Sequence, residues 1–414
     1  MNRNTKPELL APAGSLSKLK VAIDYGADAV YLGGNRLNLR AFADNFSDAE
    51  MQEGIEYAHS RGRKVYMTLN VFPHNEDLEG LEDYLRSVRD LGIDALIVSD
   101  PGIIMTCREV IPEMELHLST QANNVNYRSA MFWHQNGVKR IVLARELTLE
   151  EIRDLIARTP DTLEIEAFVH GSMCMAYSGR CLLSSYMVGR DANRGECAQP
   201  CRYKYYLVEE KRLDQPMEIL EDERGTYIMN SKDLCMIQHI PELMESGIVS
   251  FKIEGRMKSE YYVAAIVKAY RAAMDAYLAD PANYRYDPKW MELLEKVSHR
   301  KYHTGFYFGR GNSQIYESST YVRDYDIVAA VVRREADGRY FMHEKNRIFP
   351  NTEVEVLRAK GDVFRTTLTN FRDVEGSPIE VANKAAMYFS CDCPDQLEAG
   401  DLIIQTTGEV KYVF

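Results

Sequence analysis

The stretch ELLAPAGSLSKLKVAIDYGADAVYLGG, residues 8–34, decides how the chain reads. A short apolar run (8–12) is followed by an amphipathic stretch with helical spacing (16–25), then Gly26, suited to ending a helix, and a second β-branched run (29–33). That order, strand then helix then strand, is the start of a parallel β/α fold.

Working outward, the unit recurs. Further strand-type runs lie at 64–70, 95–99, 115–121, 140–145, 163–170 and 250–254, making eight with the first two. Helix-period stretches at 48–60, 78–91, 127–135 and 149–158 lie between them, with Ser47 and Thr148 placed to cap helix starts and Gly62, Gly92 and Gly137 to end helices. Eight such units predict an α/β fold of the TIM type, a (β/α)8 barrel, with a doubly wound open sheet as the alternative.

At 414 residues and 45% apolar content the chain has room for one large domain and one small one. The expected division is 1–280 for the barrel, 281–324 for a linker with a basic aromatic segment, and 325–414 for a small all-β barrel. In the last part, alternating runs at 327–333, 339–342, 353–357, 363–368 and 402–406 are separated by turns at 337–338 and 360–362. No apolar run reaches membrane-spanning length, so no membrane partner is expected. The opening residues carry no apolar export segment, which predicts a cytoplasmic protein. A net charge of −12 argues against gripping nucleic acid over the whole surface and leaves room for a local basic face. The oligomeric state is left open, an oligomer included.

The seventh strand is followed by a cysteine-rich insertion at about 171–230. Cys174, Cys181, Cys197 and Cys201 are separated by 7, 16 and 4 positions, and Cys235 lies 38 beyond Cys197. A reducing compartment reserves thiols for ligation or catalysis. Structural zinc favours close Cys pairs, and only Cys197 and Cys201 come near that spacing, so dispersed thiolates point to an iron-sulfur centre, with buried apolar cysteines plus a zinc knuckle as the plainer reading. Cys107 reads as core, and Cys391 and Cys393 as incidental. A helix over 232–245, capped by Ser231, would put Cys235 in its first turn.

In a TIM-type barrel the site lies at the C-terminal strand ends. Those ends carry Tyr31, Asn35, Asn70, Asp100, Gln121, Asn123, Arg145, Glu146, His170, Glu254 and Arg256. Arg145 and Arg256 suit carboxylates; Tyr31, Asn70, Gln121 and Asn123 are further candidate substrate ligands, and His170, Glu254 and Arg256 the candidate catalytic residues. Between 170 and 212 seven basic residues face four acids, with tyrosines interleaved, a composition fit for RNA. Arg180, Arg190, Arg194, Arg202 and Lys204 are its candidate RNA ligands. A second patch, HRKYHTGFYFGR at 299–310, repeats the pattern.

The run EAFVHGSMCMAYSGRCLLSS (166–185), with ELLAPAG (8–14), NRGECAQPCR (193–202), NSKDLC (230–235) and KIEGRMKS (252–259), resembles the collagenase-like peptidase family U32 over about residues 7–310. Despite its name, the resemblance implies oxygen-independent hydroxylation: of a wobble uridine in tRNA, a cytidine in ribosomal RNA, or ubiquinone precursors. It further implies a 4Fe-4S cluster on four cysteines, which by position are Cys174, Cys181, Cys197 and Cys235, and prephenate as a dicarboxylate co-substrate in the barrel mouth. The length and appended β-barrel resemble the tRNA 5-hydroxyuridine branch, whose partner is the tRNA anticodon loop. The alternatives are a collagenase-like peptidase, hydroxylation of another RNA base, and a non-catalytic RNA-binding scaffold.

Overall fold

A computed structural model describes residues 6–34, 36–37, 46–174, 176–202, 206–209, 212–218, 232–309, 324–384 and 386–407. Strand and helix alternate through β1 (Glu8–Pro12), α1 (Leu16–Asp24), β2 (Ala29–Gly33), α2 (Asp48–His59), β3 (Lys64–Leu69), α3 (Leu81–Asp90), β4 (Ala95–Val98) and α4 (Pro101–Val110). They continue through β5 (Glu115–Leu118), α5 (Tyr127–Gln135), β6 (Arg140–Val142), α6 (Leu149–Ala157) and β7 (Glu164–Ser172). The insertion holds α7 (Leu183–Val188) and a hairpin of β8 (Tyr206–Glu209) and β9 (Arg212–Glu218). After it come β10 (Asp233–Cys235), α8 (Ile240–Met244), β11 (Ser250–Ile253), α9 (Glu260–Ala279), α10 (Pro288–Glu295) and β12 (Tyr302–His303).

Strands β1 to β7 pair in parallel, and β11 closes the ring by pairing with both β1 and β7. The eight strands are the eight expected ones. Local chemistry explains the helix starts: Ser47 with Glu50 and Thr148 with Glu151 form reciprocal capping boxes, each satisfying two otherwise orphaned backbone donors. Two strands stop early. After β5 a 3-10 turn at Thr120–Ala122 takes over, and β6 ends at Val142.

The barrel floor is charged. Arg140, nearly buried, reaches Glu8 and Glu164 at 2.7 Å and Glu166 at 3.3 Å, and Lys252 meets the other Glu166 oxygen at 2.8 Å. Tyr66 donates to Glu8 at 2.7 Å and packs edge-on to His117, so the polar layer is ringed by partners and leaves the mouth as the open end.

One expectation is corrected here. No helix spans 232–245: residues Asp233–Cys235 form β10, antiparallel to the end of β7 and parallel to β12. Pro241 has no N–H to give an earlier turn, and the helix begins only around it. Within 281–324, among the described residues, Leu294 and Val297 enter the main core and β12 extends the sheet.

The C-terminal part is a closed barrel of β13 (Tyr325–Arg334), β14 (Tyr340–Glu344), β15 (Thr352–Leu357), β16 (Phe364–Arg372), β17 (Tyr388–Asp392) and β18 (Leu402–Thr406), in the order β13-β14-β17-β16-β15-β18. It is docked on the first domain: the Tyr25 hydroxyl donates to the Leu357 carbonyl at 2.7 Å, and Lys268 Nζ to the Arg358 and Gly361 carbonyls at 2.8 and 2.7 Å.

Candidate functional site

A cavity of about 530 Å3 opens at the C-terminal strand ends, within the size range of small-molecule sites. Its cationic wall is built mainly by β11 and the residues after it. Lys252 of β11 points into the cavity, and beyond the strand end the whole run from Glu254 to Lys258 lines it. Thr68 of β3 and Asn70 just past it lie on one face, and Ser119, Thr120 and Gln121 line the cavity together from the end of β5 and its 3-10 turn. Among the described residues five cations line the cavity, Arg145, Arg190, Lys252, Arg256 and Lys258, with one lining carboxylate, Glu254, and Glu166 beneath Lys252. In a chain of net charge −12 this concentrates positive potential where an anion would enter.

Each group is held. Arg145 donates to the Ser172 carbonyl at 2.7 Å and lies 4.0 Å from the Phe168 ring centroid. Arg256, nearly buried, donates to Thr68 Oγ1 at 3.3 Å. Lys252 Nζ sits 4.5 Å above the Tyr31 ring, whose hydroxyl is 3.0 Å from the Ile253 carbonyl and 3.2 Å from Glu254 Oε2. Asn70 Nδ2 donates to Ser119 Oγ at 3.1 Å.

The insertion forms the opposite wall, and specific contacts fasten it over the mouth. Ser178 N–H donates to Glu146 Oε1 at 2.9 Å, Phe72 N–H to the Asn193 carbonyl at 3.3 Å, and Arg194 Nη2 to Asp77 Oδ1 at 2.9 Å, while Asn193 Nδ2 braces the insertion internally on the Cys181 carbonyl at 3.1 Å. Gly179, at φ +69°, comes so close to strand-end backbone that a Cβ there would stand 2.0 Å from the Gln121 carbonyl oxygen. Cys174, Cys181, Cys197 and Cys201 all line this wall. The donor chemistry of four thiols on one cavity fits a soft-metal centre, although among the described residues no three His, Cys, Asp or Glu side chains gather closely enough to hold a metal.

Of the residues expected from sequence, Tyr31, Asn70, Gln121, Arg145, Glu254, Arg256, Arg190, Cys174, Cys181 and Cys197 come together in this lining. Others do not. His170 is 1% exposed and absent from the lining, because a register shift between β7 and β11, where Lys252 faces Phe168 but Ile253 faces His170, turns it outward. It packs among Tyr262, Tyr270 and Tyr302, and burial, then the charges of His299 and Lys258, push its pKa down to about 3, leaving a neutral imidazole.

Asn123 takes a left-handed backbone (φ 54°) as the cap of the turn after β5 and is spent there. Asp100 caps α4, accepting from the Gly102 and Ile103 N–H groups. Cys235 stands opposite His170 in the β10–β7 pairing, but its thiol is buried outside the lining, 4.0 Å from the Tyr270 hydroxyl, and burial pushes its pKa up to about 12.

Arg194 is tied to Asp77 and Glu76, so it clamps the insertion to the loop after β3. Arg180 and Arg190 are exposed on the rim, as are Tyr177 and Tyr186, the latter 91% accessible. Asn35, Lys204 and the side chain of Arg202 lie outside the described residues. In the patch at 299–310, His299, Arg300 and Tyr307 are buried, Lys301 and Phe308 are exposed, and Arg310 lies outside the described residues.

Sequence reading missed Thr68, Ser119, Lys252, Lys258, Asn193 and the cavity-facing position of Cys201. Parity was the available signal for Lys252 and Thr68, two residues before Glu254 and Asn70 on the same strands.

Residues 14–316 match peptidase family U32, and residues 323–403 match the peptidase family U32 C-terminal domain. The chain is 43% identical over 380 residues to tRNA hydroxylation protein P1 of Bacillus subtilis, covering 91% of this chain and 89% of that one. It is 39% identical over 435 residues to tRNA hydroxylation protein P of Escherichia coli, covering 95% of each. A ribosomal RNA 5-hydroxycytidine synthase of Escherichia coli is 38% identical over 299 residues, 71% of this chain and 44% of that one.

Proposed function

Since the chain belongs to peptidase family U32, we propose that it is a tRNA-modifying enzyme that adds a hydroxyl at carbon 5 of the wobble uridine, without molecular oxygen, using a 4Fe-4S cluster and prephenate or a related small dicarboxylate. RNA hydroxylation is what relatives covering most of the chain are named for. The observation that carries the finer reading is the cavity itself, where five cations and four thiols face one enclosed space at the mouth of a parallel barrel.

In this reading Arg145 and Arg256 take the carboxylates of the co-substrate, oriented by the Phe168 ring and by Thr68 respectively. Glu254, within 3.2 Å of the Tyr31 hydroxyl, is the carboxylate positioned to accept or return a proton at the cavity. Cys174, Cys181, Cys197 and Cys235 would hold the cluster, which requires the Cys235 thiol to turn from its buried place beside Tyr270 toward the wall of the other three, and Cys201, already on that wall, is the competing fourth ligand. When bound, the cluster supplies electron-transfer chemistry at thiolate-held iron. The exposed Arg180, Arg190, Tyr177 and Tyr186 on the rim meet phosphates and unpaired bases of the anticodon loop, with the target base drawn into the cavity. Peptide hydrolysis has no support in the geometry: His170, the imidazole nearest in sequence to Cys174, is buried away from the cavity.

The test is nucleoside analysis of tRNA from a strain lacking this gene and its paralogues. Loss of 5-hydroxyuridine derivatives, restored by wild type and not by Arg256→Ala, supports the reading; an undiminished content overturns it.

A further inference from the structure

The outer face of the C-terminal barrel carries a strip that the cavity does not use. Through β14 and the turn after it, residues 341–349, inward and outward side chains alternate except at Asn346, which is exposed. Met342, Glu344 and Ile348 point inward and are buried, whereas Phe341, His343, Lys345, Arg347 and Phe349 point outward. Apart from the exposed Asn346, the outward residues are aromatic or can carry positive charge.

Cross-strand pairing orders the rings. His343 lies opposite Tyr388 of β17, and the two rings stack at 4.7 Å and 16°; Tyr388 stacks in turn on Phe341 at 5.4 Å and 4°. The guanidinium of Arg333 covers Phe341 at 3.9 Å and closes that end of the column. The column of guanidinium, two benzenoid rings and imidazole ends on His343, which is partly exposed beside Lys345, Glu260 and Ala386, and among the described residues no further ring covers it. Tyr388 is 44% and Phe349 48% exposed, surface that aromatic rings in a small barrel would otherwise bury.

The strip adjoins the first domain beside His343. Lys345, the next outward residue after His343, is paired at 2.9 Å with Glu260, the first residue of α9, and Glu260 follows the cavity-lining Met257 and Lys258 by only a few positions. Arg347 lies over the Phe349 ring at 5.6 Å, with no carboxylate partner among the described residues.

We propose that this strip is a second RNA-binding surface, on which an unpaired nucleotide of the substrate RNA continues the column by stacking on His343 while Lys345 and Arg347 contact its phosphates. The inference rests on the reading of RNA as substrate. Stacked rings already held in register bind a base with little further ordering, and a base offers a flat face to any of them regardless of sequence. The flanking cations supply the attraction to phosphate that aromatic rings lack. A protein strand would need an unpaired sheet edge, and this sheet is closed.

The experiment is fluorescence anisotropy with a labelled, unmodified tRNA transcript across a salt series, on the full chain. His343→Ala with Tyr388→Leu, which keeps an apolar contact and removes the stacking faces, is expected to weaken binding about tenfold. Arg347→Glu is expected to flatten the dependence of log affinity on log salt by about one phosphate contact. Unchanged melting temperatures and unchanged prephenate binding would locate both effects at the strip. If wild type binds the transcript and these variants match it in affinity and salt slope, the strip is not an RNA surface, while the functional reading stands. If wild type binds no tRNA at any salt, both fall.

Discussion

The guanidinium of Arg256 rests against Gly33, so closely that a Cβ at position 33 would stand 2.3 Å from Nη2. The end of β2 therefore has to be bare for the cavity's most buried arginine to lie where it does. Gly33→Ala is expected to displace the guanidinium and weaken prephenate binding by on the order of 10²-fold, as misplacements near 1 Å do. Calorimetric titration checks this, and unaltered affinity would show that Arg256 does not meet the ligand.

The barrel floor predicts a pH dependence. His117 is fully buried, and burial, then the charge of Arg140, lowers its pKa below the ordinary value, so it stays neutral in the fold. The unfolded chain protonates it below about pH 6.5 and the folded one does not. Its contribution to stability is therefore complete above that value and is lost as the pH falls toward the folded pKa, at up to about 1.4 kcal/mol per pH unit for one proton. In urea titrations, His117→Phe, which retains a ring against Tyr66, should show a shallower acid slope than wild type; parallel slopes would contradict the assignment.

Glu166 behaves differently. Burial opposes its charge, yet Lys252 and then Arg140 outweigh it and hold the carboxyl below its ordinary range. Its stabilisation is present above the unfolded carboxylate pKa and disappears as the pH drops through the lower folded value. Glu166→Gln leaves Lys252 without its charged partner and should cost about 3–5 kcal/mol at neutral pH. The gap from wild type should narrow below about pH 4, and a gap constant with pH would show that the loss is one of packing.

The cysteines separate by iron and sulfide content after anaerobic purification. Cys174→Ser, Cys181→Ser and Cys197→Ser should each lose most of the iron, and Cys235→Ser should do so while Cys201→Ser does not. The reverse order for the last two would assign Cys201, which shares the cavity wall, as the fourth ligand.

The barrel was legible because its signals are local: capping at Ser47 and Thr148, glycine ends, and β-branched runs at regular intervals each act within a few residues. Much of the cationic lining was legible for the same reason, since strand ends fix where Arg145, Glu254 and Arg256 emerge. What failed depends on partners distant in sequence. His170 was turned out by a bulge against β11, and Cys235 entered a strand because β7 and β12 supply its hydrogen bonds. Arg194 looked like an RNA ligand until Asp77 was found across from it. A basic residue in a tyrosine-rich stretch reads identically whether it faces solvent or, like Arg300, is 2% exposed.

The account is tested most directly by incubating anaerobically purified protein with unmodified tRNA and prephenate and then analysing the nucleosides by mass spectrometry. Appearance of 5-hydroxyuridine at the wobble position, dependent on prephenate and abolished by Arg256→Ala, is the predicted result. Iron-replete protein that binds this tRNA and yet leaves its wobble uridine unchanged would contradict it.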